Sequence, residues 1–88
     1  MKEKELEKIF KALANRRRLS ILSVLKNEKD LSVGNIAEKI KLSFKSTSKH
    51  LSILSSVDII EKEQKSSQVF YRIASNSNES IRKIVSLI

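Results

Sequence analysis

Apolar residues recur at helical spacing along most of this chain, and the one stretch where the period changes marks a second kind of structure. Leu6, Ile9, Phe10 and Leu13 fall at i, i+3, i+4 and i+7, which predicts an amphipathic helix over about residues 2–13. Asn15 then stops that helix and caps the next. The second helix runs from Arg16 to about Lys26, and Leu19, Ile21, Leu22, Val24 and Leu25 make it apolar around more than half its circumference, as suits a central core helix. After the polar exit NEKD at 27–30, Ser32 is placed to cap a third, short helix in which Val33, Ile36, Ala37 and Ile40 repeat the same spacing. Ser43 caps a fourth only three residues later. At about 100° per residue, Phe44, Thr47, Leu51 and Leu54 share one stripe of this fourth helix, while Lys45, Ser46, Lys49, Ser52 and Ile53 face the other way. From Ile59 the period drops to 2. Ile60, Lys62 and Gln64 alternate with Ile59, Glu61 and Glu63, then Val69, Tyr71 and Ile73 alternate with Phe70 and Arg72, which predicts two strands joined through Lys65-Ser66-Ser67-Gln68. Ile81, Ile84, Val85 and Ile88 restore helical spacing in a last helix expected to start near Ser77 or Asn78.

Two helices joined by a turn of about three to four residues, the first short and the second polar outside, form a helix-turn-helix unit. The third and fourth helices fit that description. The expected fold is therefore mainly α with a small β-hairpin: four helices, the hairpin and a final helix, in one domain over residues 1–88. No repeat, low-complexity tract or linker divides it, and with no proline and one glycine the punctuation comes from Asn, Asp and Ser.

Charge gives the outer face of the fourth helix a direction. Lys and Arg number 18 against 10 Asp and Glu, a formal net charge of +8, and residues 43–57 hold two lysines and no acid. Ammonium groups attract phosphates whatever the sequence, while serine hydroxyls and lysines near a helix N-terminus can bond base edges in the major groove. Double-stranded DNA is the expected partner. Cysteine is absent, which excludes disulfides and thiolate sites, and His50 as the single imidazole cannot build the usual zinc site alone, so no metal and no cofactor is expected. One histidine, no Gly-rich phosphate loop and no carboxylate pair in an apolar setting leave no catalytic constellation. The charged start MKEKELEKIF lacks a signal peptide's apolar run, and no segment approaches the roughly 18 apolar residues that span a bilayer, so a cytoplasmic protein is expected. A domain this small buries only about 60% of its unfolded surface, which makes a second subunit the natural source of extra burial.

Four segments, in order and covering nearly the whole chain, resemble the ArsR-type winged helix-turn-helix repressors. LANRRRLSILSVL is similar to that family's Leu-Ala-Asp/Asn-Pro-x-Arg-x-x-Ile-Leu segment, with Asn15 at the cap and Arg16 where proline is usual. LSVGNIAEKIKLS resembles its first helix-turn-helix helix and turn, and QVFYRI the strand that closes its wing. STSKHLSIL resembles the recognition-helix pattern Thr-x-Ser-x-His-Leu-x-x-Leu through Ser46, Ser48, His50, Leu51 and Leu54. The resemblance implies a homodimeric repressor on a palindromic operator, with the 43–56 helix in the major groove and the 59–73 hairpin as wing. Ser43, Phe44, Lys45, Ser46, Ser48, Lys49 and His50 then form the recognition element, and Lys62, Lys65, Ser66 and Arg72 the wing contacts. Of the Arg16-Arg17-Arg18 cluster, one is expected to bond backbone or a carboxylate and the others phosphate, Arg16 and Arg17 being the phosphate candidates. In such proteins the terminal helices pair two subunits, here through Leu6, Ile9, Phe10, Leu13, Ile81, Ile84, Val85 and Ile88, the alternative being that they fold back on their own subunit.

The departures from the family pattern carry their own expectations. Glycine is frequent there in the turn, after the recognition helix and at the wing tip, where this chain has Lys41, Asp58 and Ser66-Ser67. A residue with a β-carbon in the left-handed region costs about 1–2 kcal/mol, least for Asn or Asp, so a wing turn longer than two residues is expected. Phe44 stands where a polar residue often reads a base; its place on the inner stripe makes it a packing residue, with contact to thymine methyls as the alternative. Metal-sensing members use cysteines or His/Asp clusters on the last helix, and SNSNESIRKIVSLI supplies neither, which leaves the effector open. A second reading makes the winged helix a docking module for an acidic protein. The acid-free segment 43–57 favours DNA.

Overall fold

The computed structural model describes residues 2–75 and 79–88. The chain folds in the order α1 (Glu3–Leu13), α2 (Arg16–Asn27), β1 (Leu31–Ser32), α3 (Val33–Ile40), α4 (Phe44–Ser56), β2 (Ile60–Lys65), β3 (Gln68–Ile73) and α5 (Glu79–Ser86). Five helices and the hairpin stand where the hydrophobic pattern puts them, and the start of the last helix expected at Ser77 or Asn78 lies outside the described residues. Strand β1 was not expected. It pairs antiparallel with β3 through Leu31↔Tyr71 and Ser32↔Phe70, giving the order β1-β3-β2. Two residues are too few to display a period, so alternation could not announce it.

Side-chain caps set three helix starts. Asn15 Oδ1 accepts from the backbone N–H of Arg17 (3.0 Å) and Arg18 (3.2 Å), Ser32 Oγ from Asn35 (3.2 Å) and Ser43 Oγ from Ser46 (3.1 Å). Each such cap is worth about 1 kcal/mol. The ends of α3 and α4 share a second device. Lys41 sits in the left-handed region at φ 56°, with its N–H donating to Glu38 O at 3.3 Å and the Leu42 N–H to Ala37 O at 3.0 Å. Asp58, at φ 59°, repeats this: its N–H donates to Ser55 O at 3.0 Å and the Ile59 N–H to Leu54 O at 3.2 Å. In both, the residue after the left-handed one is apolar and packs in the core, Ile59 fully and Leu42 partly. These paired bonds and apolar anchors offset the cost of a β-carbon in that conformation, which is why glycine is dispensable. The wing turn is a correction: Lys65 pairs with Gln68, so only Ser66 and Ser67 turn the chain, and Ser66 takes φ 58°.

The buried cluster is wholly aliphatic, centred on Ile21, Leu22, Leu25, Ile36, Leu51, Leu54 and Ile59. Burying each such side chain contributes about 1.5–3 kcal/mol before entropy is counted. Thr47 is fully buried with them and satisfies its hydroxyl on Ser43 O at 2.8 Å. Two expectations for α4 fail. Phe44 is 63% exposed rather than packed, and Ile53 packs against the core rather than facing out. The terminal helices divide their apolar residues: Ile9, Leu13, Ile81 and Val85 are buried in the subunit itself, Ile84 packs partly against the core, and Leu6, Phe10 and Ile88 remain exposed.

Candidate nucleic-acid interface

Helices α3 and α4, joined by Lys41-Leu42-Ser43, make the helix-turn-helix, and burial of Thr47, Leu51 and Leu54 fixes which side of α4 looks outward. That side presents Lys45, Ser46, Lys49, Ser52 and Ser56, all exposed, with Ser48 and His50 half-buried along its edges. Lys41 extends the basic surface into the turn. At 1.5 Å per residue α4 is about 20 Å long, and it meets no carboxylate of its own. Ser43, exposed at the N-cap, spends its hydroxyl oxygen on the Ser46 N–H.

The three arginines at the start of α2 separate by function. Arg18 is the structural one: Nη1 donates to Lys11 O and Ala12 O, each at 3.1 Å, and Nε to His50 Nδ1 at 3.2 Å. It therefore ties the C-terminus of α1, where the helix dipole favours a cation, to the middle of α4. Because Nδ1 accepts, hydrogen-bond logic places the neutral imidazole's proton on Nε2. Burial, then the charges of Arg18, Arg17 and Lys49, hold the His50 pKa below its ordinary 6.5. Arg17 is exposed but sends Nη1 to Ile40 O at 3.3 Å, bracing the end of α3; Arg16 is exposed.

In the hairpin the cross-strand register sorts the side chains onto two faces. Ile60, Lys62 and Gln64 oppose Ile73, Tyr71 and Val69 on one, and Glu61, Glu63 and Lys65 oppose Arg72, Phe70 and Gln68 on the other. Lys62, Lys65 and Ser66 are exposed, with Lys65 Nζ 5.6 Å from the centre of the Phe70 ring. Burial raises the Tyr71 pKa. Arg72 has a different situation from the other wing residues. Its guanidinium meets Asp30 at 2.8 Å, Glu61 at 3.7 Å and Glu63. Hydrogen bonds to Glu63 and Asp30 raise its pKa further. Glu61 also accepts from Ser75 N (2.7 Å) and Oγ (3.1 Å), which, with Arg72, lowers its pKa. Arg72 thus fastens the wing to the loop before β1 and engages the carboxylates nearest the hairpin.

What this surface offers chemically is ammonium groups and hydroxyls on a projecting helix, flanked by a basic hairpin tip, suited to a polyanion. Among the described residues no three His, Cys, Asp or Glu side chains cluster as a metal ion would need, and no helix is long and apolar enough to cross a membrane. The Arg18–His50 and Arg72–Asp30 bonds were not foreseen; they join residues 32 and 42 positions apart, beyond the reach of local pattern.

Fold and surface together define a winged helix-turn-helix domain whose second helix presents a basic outer face. Residues 15–62 match the profile of the bacterial regulatory protein, arsR family. The chain is 31% identical over 77 residues to the transcriptional activator HlyU of Vibrio cholerae, spanning 88% of this chain and 70% of that protein. It is 35% identical over 65 residues to the transcriptional repressor SdpR of Bacillus subtilis, spanning 74% and 71%. At TM-score 0.82 and 30% identity, over 96% of this chain and 74% of the other, it is similar to the homodimeric winged helix-turn-helix DNA-binding domain of a possible ArsR-family transcriptional regulator from Mycobacterium bovis. This chain belongs to the ArsR family of bacterial regulatory proteins.

Proposed function

We propose that the protein is a cytoplasmic, homodimeric transcription regulator that binds an imperfectly palindromic duplex. Helix α4 lies in the major groove with Lys45 and Ser46, in its first turn, at base edges. Lys49, Lys62, Lys65, Ser66, Arg16 and Arg17 hold phosphates. Arg72 acts mainly through the carboxylates it engages, setting the wing's position. The observation that carries this is the outward face of α4, exposed, hydroxylated, basic and free of acid, on the second helix of a helix-turn-helix. Dimerisation is supported by the unpartnered apolar face of α1, where Leu6 and Phe10 border a shallow groove of about 380 Å³, and by the homodimeric neighbour. A twofold axis would repeat α4 about 34 Å away, one turn of DNA. Repression is the sequence-based expectation; since its relatives include an activator and a repressor, operator position decides the sign.

The test is a gel-shift salt series on genomic fragments. Lys45→Ala/Lys49→Ala should lower affinity, and every lysine–phosphate pair removed should flatten the salt slope by about 1. Ser46→Ala should cost about 1–3 kcal/mol on the operator and little on random DNA. Wild-type affinity of the double variant at every salt would leave α4 without the reader's role and favour a protein-docking module.

A further inference from the structure

We propose that Phe44 reads thymine: its ring covers the C5-methyl group of one thymine in each half-site. The inference rests on the DNA-binding reading above and deepens it. Phe44 is the first residue of α4 and 63% exposed. Leu51, seven residues on and nearly two turns along the same stripe, is fully buried. Thr47, which closes the first turn, is buried as well, so the core stops between Phe44 and Thr47 and only the leading edge of α4, Phe44 to Ser46, stands clear of it; the N-terminal residues of a recognition helix are the ones that meet base edges in the groove. Around Phe44 the exposed side chains are polar or basic: Lys41, Ser43, Lys45 and Ser46. Among the described residues the other large exposed apolar side chains are Leu6, Phe10, Leu19, Leu87 and Ile88, none of them on α4.

A single apolar ring in a basic, hydroxylated field suits a partner that is anionic and hydrogen-bonding with isolated apolar groups. In the major groove that group is the thymine methyl, the apolar feature among the acceptors and donors of the base edges. A protein partner would call for a contiguous apolar patch, which α4 does not offer. Composition points the same way. The buried cluster is entirely aliphatic, and all three phenylalanines lie outside it, Phe10 on α1, Phe44 on α4 and Phe70 on the wing. The fourth aromatic, Tyr71, packs against that cluster, whereas the ring of Phe44 is open to solvent and offers a flat apolar surface to a partner.

The experiment changes the DNA first and the protein second. Duplexes selected from a random pool by the wild-type protein are rebuilt with uracil replacing each thymine in turn, which removes only the methyl group. One position per half-site should lose about fourfold in affinity, the effect of one buried methyl, and both together about fifteenfold. Phe44→Ala should bind the thymine and uracil duplexes equally, and Phe44→Leu should keep part of the preference. Indifference to uracil at every position, or full thymine preference in Phe44→Ala, overturns the proposal while leaving DNA binding standing. Failure of the wild type to enrich any duplex overturns both.

Discussion

Helices α1 and α4 are alike on the inside and opposite on the outside. Each buries a stripe of small and aliphatic side chains, Ile9, Ala12 and Leu13 in one and Thr47, Leu51 and Leu54 in the other. Outward, α1 shows Leu6 and Phe10 among acids and lysines, whereas α4 shows lysines and serines without an acid, with Phe44 at its start as its single large exposed apolar side chain. The inner stripes explain folding and nothing more. Function is written in the outer faces: exposed apolar area is stabilised by covering it with protein, while an acid-free basic face is stabilised by phosphate.

The strongest way to break the comparison is to show that inner and outer positions are interchangeable. Ile81 on α5 is 5% exposed and belongs to the core, so Ile81→Ala should lower unfolding free energy by about 2–5 kcal/mol in urea melts. Phe10, 52% exposed, should behave differently. Phe10→Ala should leave subunit folding within about 0.5 kcal/mol and weaken dimerisation by about 2 kcal/mol or more, read by light scattering as a shift toward the 10.0 kDa subunit. A dimer of unchanged affinity in Phe10→Ala would move the interface off the outer face of α1.

Arg18 joins the two helices and tests whether they are independent. Its bonds to Lys11 O, Ala12 O and His50 Nδ1 predict that Arg18→Gln costs about 1.5–3 kcal/mol of stability, since hydrogen bonds from a charged donor are lost. His50 adds a pH dependence. Its folded pKa is lowered from 6.5 by burial and neighbouring cations, so the folded state binds this proton less readily than the unfolded chain does. Its contribution is full above pH 6.5 and falls away as the pH drops below that value and through the lowered folded pKa. Wild-type melts should show this decline on the acid side, and His50→Gln should flatten it. Equal slopes for the two proteins would remove His50 as the titrating group.

These residues also mark how far the sequence could be read. Helix positions were legible because apolar spacing is a one-dimensional record of one face, and the caps because Asn15, Ser32 and Ser43 act on backbone two or three residues away. Periodicity gives an angle around a helix but not how far along it the core extends, which is why Phe44 reads as packed and is exposed. The same limit applies to α1 and α5, whose stripes are wide enough for the subunit to use one edge, Ile9, Leu13, Ile81 and Val85, and leave Leu6 and Phe10 uncovered. Arg72 looks like a wing cation until Asp30, 42 residues away, is seen beside it. On the outer face of α4, Lys45, Ser46, Lys49 and Ser52 are exposed as their angles predict, while Ile53, expected among them, packs against the core.

The smallest predicted effect concerns how α4 is held, and it uses the chain's single glycine. Gly34 lies in helix α3, where its freedom is a cost, while the left-handed positions Asp30, Lys41, Asp58 and Ser66 all carry side chains. A β-carbon built at Gly34 has Ser32 Oγ as its nearest neighbour at 4.0 Å, so alanine fits without a clash. Gly34→Ala should stabilise by about 0.5–1 kcal/mol through helix propensity. Lys41→Gly relieves about 1–2 kcal/mol of left-handed strain but gives the unfolded chain more freedom, leaving a net gain of about 0.5–1 kcal/mol. Each should raise the melting temperature by roughly 2–8 °C. Combined, they move the glycine from a position that penalises it to one that uses it. Dimerisation should be unchanged, because neither residue lies on α1. DNA binding then separates two uses of Lys41: if its ammonium holds a phosphate, Lys41→Gly lowers the salt slope by about 1 while Gly34→Ala does not. Destabilisation by Lys41→Gly would mean that the aliphatic stem of the lysine, rather than its backbone conformation, is what the turn between α3 and α4 depends on.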